Sequence, residues 1–129
     1  MKMTRKRILV ADCHEEILIT LEKLLEEAGF DTTTVWTAKD ALSLVDSQAF
    51  DLVLMNEYLP DAECEDLLKT LHKKAAQMLC VVMQPSAPEI TDFMHLKALG
   101  AHDIVCKHAN RRIIEIVNSC LASSASMAA

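Results

Sequence analysis

Three short, continuous apolar runs dominate the chain: Arg7–Ala11, Asp51–Met55 and Met78–Met83. A run without polar alternation reads as a strand covered on both faces. Thr32–Trp36 is β-branched and aromatic, and His102–Cys106 is a further short strand. Between them lie segments of helical period. Ile17, Leu21, Leu24, Leu25 and Ala28 make one apolar face ended by Gly29. Thr37–Gln48 carries Ala41, Leu42 and Val45, and Asp66–Lys74 carries Leu67, Leu68 and Leu71. After a loop from Glu57 to Cys64 and a stop at Pro85 and Pro88, a helix is expected from about Glu89 to Leu99, closed by Gly100. Asn110–Leu121 forms the last, with Ile113, Ile114, Val117 and Leu121 apolar. Five strands alternating with five helices demand an α/β fold: a parallel sheet with helices on both faces, joined by right-handed crossovers. The 129 residues fit one domain, expected over 1–122, with 123–129 a flexible tail or linker stub.

Composition removes several functions. The formal charge is −6, and residues 1–64 hold thirteen Asp/Glu against six Lys/Arg. An acidic chain without a basic stripe repels phosphate backbones, so nucleic-acid binding by this domain is not expected. No apolar run approaches the roughly 18 residues of a membrane span, and no signal-peptide core follows Met1–Arg7. A cytoplasmic location is the expectation. The five cysteines form no CxxC pair and read as reduced thiols, with Cys80 and Cys106 as small buried hydrophobes. Only two glycines occur, so no glycine-rich loop is available to cradle a nucleotide or flavin. Neither an enzyme activity nor a cofactor is expected.

In a parallel α/β sheet, functional residues collect beyond the carboxyl ends of the strands. Those positions hold Asp12, Cys13 and His14 after the first strand, and Asn56, Glu57 and Tyr58 after the third. They hold Gln84–Ser86 after the fourth and Lys107 and His108 after the fifth.

With Ile8–Asp12, Glu26–Phe30, Asp51–Pro60 and Ala98–Lys107 at these spacings, the chain resembles the receiver domain of two-component response regulators from about Arg5 to Leu121. The resemblance implies a flavodoxin-like sheet of order 2-1-3-4-5. It also implies an acidic pair after the first strand that holds Mg²⁺, and an aspartate ending the third strand that accepts a phosphoryl group. A Ser or Thr after the fourth strand and a Lys after the fifth bind that group. These residue types suit the chemistry: a carboxylate nucleophile, hard oxygen ligands for Mg²⁺, and a compact positive charge.

The chain departs from this pattern where the chemistry is decided. The phosphoacceptor position is Asn56, whose carboxamide lacks the anionic oxygen. The acidic pair is Asp12 with Cys13, and a thiol is a poor Mg²⁺ ligand. The aromatic that commonly precedes the lysine by three residues is Ile104, and the proline that follows it is His108. Lys107 remains, and Ser86 or Pro85 takes the hydroxyl position according to the direction of counting. The expected function is therefore that of a pseudo-receiver: a phosphorylation-independent signalling domain that binds a kinase, an output domain or a copy of itself. The alternative is a conventional phosphoacceptor receiver in which Asn56 is an engineered or erroneous replacement. The expected partner surface, and the route to a homodimer, is the fourth helix, fifth strand and fifth helix, with Ile104, Arg111 and Arg112.

Local features carry milder expectations. Lys107 should pair with Asp12 across the pocket as a structural salt bridge. Cys13, His14 and His108 are of metal-ligand type but show no ligand spacing, so no metal is expected, and Mg²⁺ at most weakly through Asp12. His72, His95 and His102 read as ordinary surface histidines.

Overall fold

The structure, a computed structural model, describes residues 5–86 and 90–128. Its elements are β1 (Arg7–Ala11), α1 (Glu15–Glu27), β2 (Asp31–Val35), α2 (Ala38–Ser47), β3 (Leu52–Asn56), β4 (Tyr58–Leu59), β5 (Ala62–Glu63), α3 (Cys64–Lys74), β6 (Leu79–Gln84), α4 (Ile90–Ala98), β7 (Asp103–Cys106) and α5 (Asn110–Ala128). Five parallel strands form one sheet in the order β2-β1-β3-β6-β7, and β4 with β5 forms a small antiparallel hairpin. In main-sheet strands alone, this is the expected 2-1-3-4-5 order.

Period-two alternation sorts the buried strand residues between two layers. Leu9, Ala11, Val53, Met55, Val82 and Ile104 pack with α2, α3 and α4. Ile8, Val10, Leu52, Leu54, Val81 and Val105 pack with α1 and α5. Both sides of the central strands are therefore dry, which explains their unbroken hydrophobicity. Gly29 and Gly100 end α1 and α4 with φ of 98° and 118°, a region costly for residues with a Cβ.

Several boundaries differ from the sequence reading. The expected loop between Glu57 and Cys64 contains the β4–β5 hairpin, and α3 begins at Cys64. The hairpin fixes α2. Asp61 accepts the backbone N–H of Ala38 at 2.8 Å and of Lys39 at 2.9 Å, while Thr37 Oγ1 accepts that of Asp40 at 3.1 Å. These bonds satisfy donors that a helix start otherwise leaves unpaired. The strand expected to end at Met83 runs through Gln84, and Trp36 lies just past β2. α5 continues to Ala128, so no break in secondary structure marks the expected boundary after residue 122. The expected helix start at Glu89 and the preceding Pro88 lie outside the described residues.

Candidate functional site

The sheet gathers the polar core at one rim. Among the described residues, four polar or charged side chains are buried: Asp12, Asn56, Gln84 and Lys107. Each ends or directly follows one of β1, β3, β6 and β7. The register brings them level, with Ala11 opposite Met55, Asn56 opposite Met83 and Gln84 opposite Cys106. The Lys107 N–H donates to the Gln84 carbonyl at 2.8 Å, extending the ladder by one step.

Asp12 is fully buried and organises the turn into α1. Its Oδ1 accepts the His14 backbone N–H at 2.9 Å and lies 2.8 Å from His14 Nδ1. Its Oδ2 accepts no hydrogen bond, and the Lys107 ammonium stands 3.5 Å away. Lys107 Nζ is also 3.1 Å from His14 Nδ1. The expected Asp12–Lys107 pair is therefore present, with His14 as a third member. His14 caps α1 through its backbone alone, which frees its ring to lean over the pocket.

Asn56 ends β3 with 3% exposure, and its Nδ2 donates to the Tyr58 carbonyl at 2.8 Å. The amide is engaged with its own turn. Glu57, next in sequence, receives a bond of 3.4 Å from Gln84 Nε2. Burial, followed by the nearby Asp92, raises its pKa above the ordinary carboxylate range, against the opposing effect of Gln84.

Ser86 is exposed, two residues beyond the end of β6, and the buried polar side chain from that strand is Gln84. The sequence signal was a single polar residue closing an apolar run, and the strand's extra residue made it part of the rim. Ile104, expected at the partner surface, is only 5% exposed and packs in the layer with α2, α3 and α4. Its side chain points into the layer that holds α4, opposite the one that holds α5, and does not reach the surface. Arg111 and Arg112 are exposed in the first turn of α5, and among the described residues neither forms an ion pair.

His102 does more than a surface histidine: its Nδ1 accepts the Cys80 backbone N–H at 3.1 Å and ties the start of β7 to β6. Burial, helped by Lys97 and His72, lowers its pKa. Cys80 is buried as expected, and burial pushes its thiol up to about 12. Cys106 is only half-buried.

The donor set does not suit Mg²⁺. That ion wants hard oxygens in near-octahedral geometry. The rim offers the Asp12 carboxylate facing an ammonium, the Glu57 carboxylate bonded by Gln84, a thiol, and an amide whose nitrogen is committed to Tyr58. No step through Mg²⁺ follows from these residues.

Comparison with known proteins places this rim in context. The profile of the response regulator receiver domain family matches residues 8–118. The alkaline phosphatase synthesis transcriptional regulatory protein PhoP of Bacillus subtilis is 28% identical over 102 residues, covering 79% of this chain and 42% of PhoP. The sensory/regulatory protein RpfC of Xanthomonas campestris pv. campestris is 33% identical over 108 residues, covering 82% of this chain and 14% of RpfC. The chain thus spans less than half the length of these curated relatives. A CheY-like receiver domain protein from Methanospirillum hungatei JF-1 superposes with a TM-score of 0.88 at 26% identity, covering 96% of this chain and 99% of that one.

Proposed function

The chain belongs to the response regulator receiver family, and we propose that within it this domain signals without phosphorylation, as a pseudo-receiver that works by protein–protein contact. The observation that carries this reading is Asn56. At the end of β3 it presents an amide whose nitrogen is held by Tyr58 O at 2.8 Å, with no anionic oxygen to attack a phosphoryl donor. Around it, the charge that a phosphoryl group would meet is already neutralised, since Lys107 faces Asp12 at 3.5 Å. Cys13 stands where a second carboxylate would assist a hard metal ion.

The partner surface in this reading is the face of α4, β7 and α5, where Met94 on α4 and Arg111 and Arg112 on α5 are exposed. The partner is a kinase, an output domain or a second copy of the chain. A binding module needs one stable arrangement of that face, and a ligand shifts a population only where two exist. Amide resonances of β7 and α5, recorded with and without acetyl phosphate and Mg²⁺, test this. The reading expects them to stay in place. A displaced second set, growing with acetyl phosphate and decaying with its removal, would overturn it.

A further inference from the structure

We infer that His102 is an acid-released clip, an imidazole that joins the start of β7 to β6 when neutral and lets go when protonated. Two hydrogen bonds meet there. The His102 backbone N–H donates to the Cys80 carbonyl at 2.7 Å, and the Cys80 N–H donates back to His102 Nδ1 at 3.1 Å. They lie just ahead of the first paired residues of the two strands, Val81 opposite Asp103, so the ring serves there as a carbonyl does further along the ladder. A backbone amide can only donate. Nδ1 is therefore the acceptor, which fixes the neutral ring with its proton on Nε2. The lone pair that binds Cys80 is the one a second proton would take. Protonation thus removes the bond and sets two N–H groups against each other.

The groups around the ring favour its neutral form. Lys97 in the last turn of α4 and His72 in the last turn of α3 both oppose a positive charge on it. On β7, Asp103 turns one oxygen to the Ile104 N–H at 2.8 Å. On α5, burial raises the Cys120 thiol and keeps it uncharged at neutral pH. The groove that the ring borders also holds Asp46 and Asp51, which face Lys74 at 3.0 Å and Lys6 at 3.9 Å. Burial first, and then the charges of Lys97 and His72, lowers the His102 pKa. A folded-state value below the unfolded one, about 6.5, keeps the clip closed above that pH and releases it as pH falls through the folded value. His102 is exposed, so a proton reaches it without unfolding. The chain enters β7 directly from α4, with the Ala101 N–H bonded to the Leu96 carbonyl at 3.0 Å and Gly100 turning at φ 118°. Release of the ring therefore loosens the junction between two elements of the proposed partner face. The clip does not depend on the reading of Asn56, and its failure would leave that reading intact.

Amide hydrogen exchange on the full chain, corrected for the intrinsic rate at each pH, gives the test. From about pH 8 to about pH 5.5, protection of the Cys80 amide should fall about fivefold, the equivalent of one net hydrogen bond. Protection of Val82, inside the ladder, should stay level. Nitrogen chemical shifts of the ring should report the Nε2–H form at the upper pH. H102N places a carbonyl oxygen where Nδ1 stands but cannot titrate, so its Cys80 protection should match that of the native chain at about pH 8 and hold across the range. H102L should lose about fivefold at every pH. Unchanged far-ultraviolet circular dichroism confirms that each variant is folded, and H102N alone decides the matter if H102L is not. Level Cys80 protection in the native chain, a neutral ring protonated on Nδ1, or the same fall in H102N would overturn the proposal.

Discussion

Lys107 Nζ stands 3.5 Å from Asp12 Oδ2, with both side chains buried and no hydrogen bond completing the pair. A buried ion pair adds little to stability compared with an apolar replacement, yet removing one partner strands the other charge. K107M should therefore destabilise the fold by about 3 kcal/mol in urea unfolding. The double variant with D12N, which removes both charges, should recover most of that loss. Equal destabilisation by the single and double variants would show that Lys107 acts through packing rather than charge.

Asp61 accepts two backbone N–H groups at the start of α2, and these bonds hold its carboxyl below the ordinary carboxylate range. A folded-state pKa below the unfolded one adds stability above the unfolded value. That stability is lost as pH falls through the folded value. D61A should cost about 1 kcal/mol at neutral pH, the usual worth of a helix cap. It should also flatten the acid limb of the stability–pH curve relative to the native chain. A variant as stable as the native chain at pH 7, with the same acid limb, would remove the cap from the account.

Much of this architecture is legible in the sequence because burial on both faces leaves an unmistakable run of apolar residues. Asp12, Asn56 and Lys107 stand out for the same reason, each being the first polar residue at the end of such a run. Gln84 was less legible. A strand's last residue depends on where its neighbours stop pairing, here with Cys106 of β7. The β4–β5 hairpin is two residues per strand, too short for any period to register. The family pattern assigns Ile104 to the partner face but says nothing of its depth, which the packing of α4 against β7 sets. The contacts of His14 with Asp12 and Lys107 have no sequence signal, since its ring stays largely exposed at the helix start.

The proposed partner face makes a charge prediction. Arg111 and Arg112 are exposed on α5 and unpaired among the described residues, whereas Glu22 and Glu26 lie on the exposed side of α1. Reversal of both arginines to glutamate should weaken self-association or partner capture. Reversal of Glu22 and Glu26 to lysine should leave it unchanged. Sedimentation velocity or a pull-down with a cognate kinase gives the readout, and the opposite pattern would move the interface to α1.

Restoring the acceptor tests how much of the pocket has been lost. N56D alone should react poorly with acetyl phosphate in the presence of Mg²⁺. Cys13 still leaves the metal site one carboxylate short, and the charge developing on the phosphoryl group is poorly neutralised. N56D combined with C13D should react much faster. If the single variant matches the double in a timed mass assay, Cys13 is not a determinant.

The native rim should accept no phosphoryl group. Intact-protein mass spectrometry after incubation with acetyl phosphate and Mg²⁺ measures this directly. The native chain should keep an unchanged mass under conditions that label an active receiver run in parallel. A labile phosphoryl adduct on the native chain, mapped to any residue of the rim that includes Asp12, Asn56, Glu57 and Lys107, would contradict it.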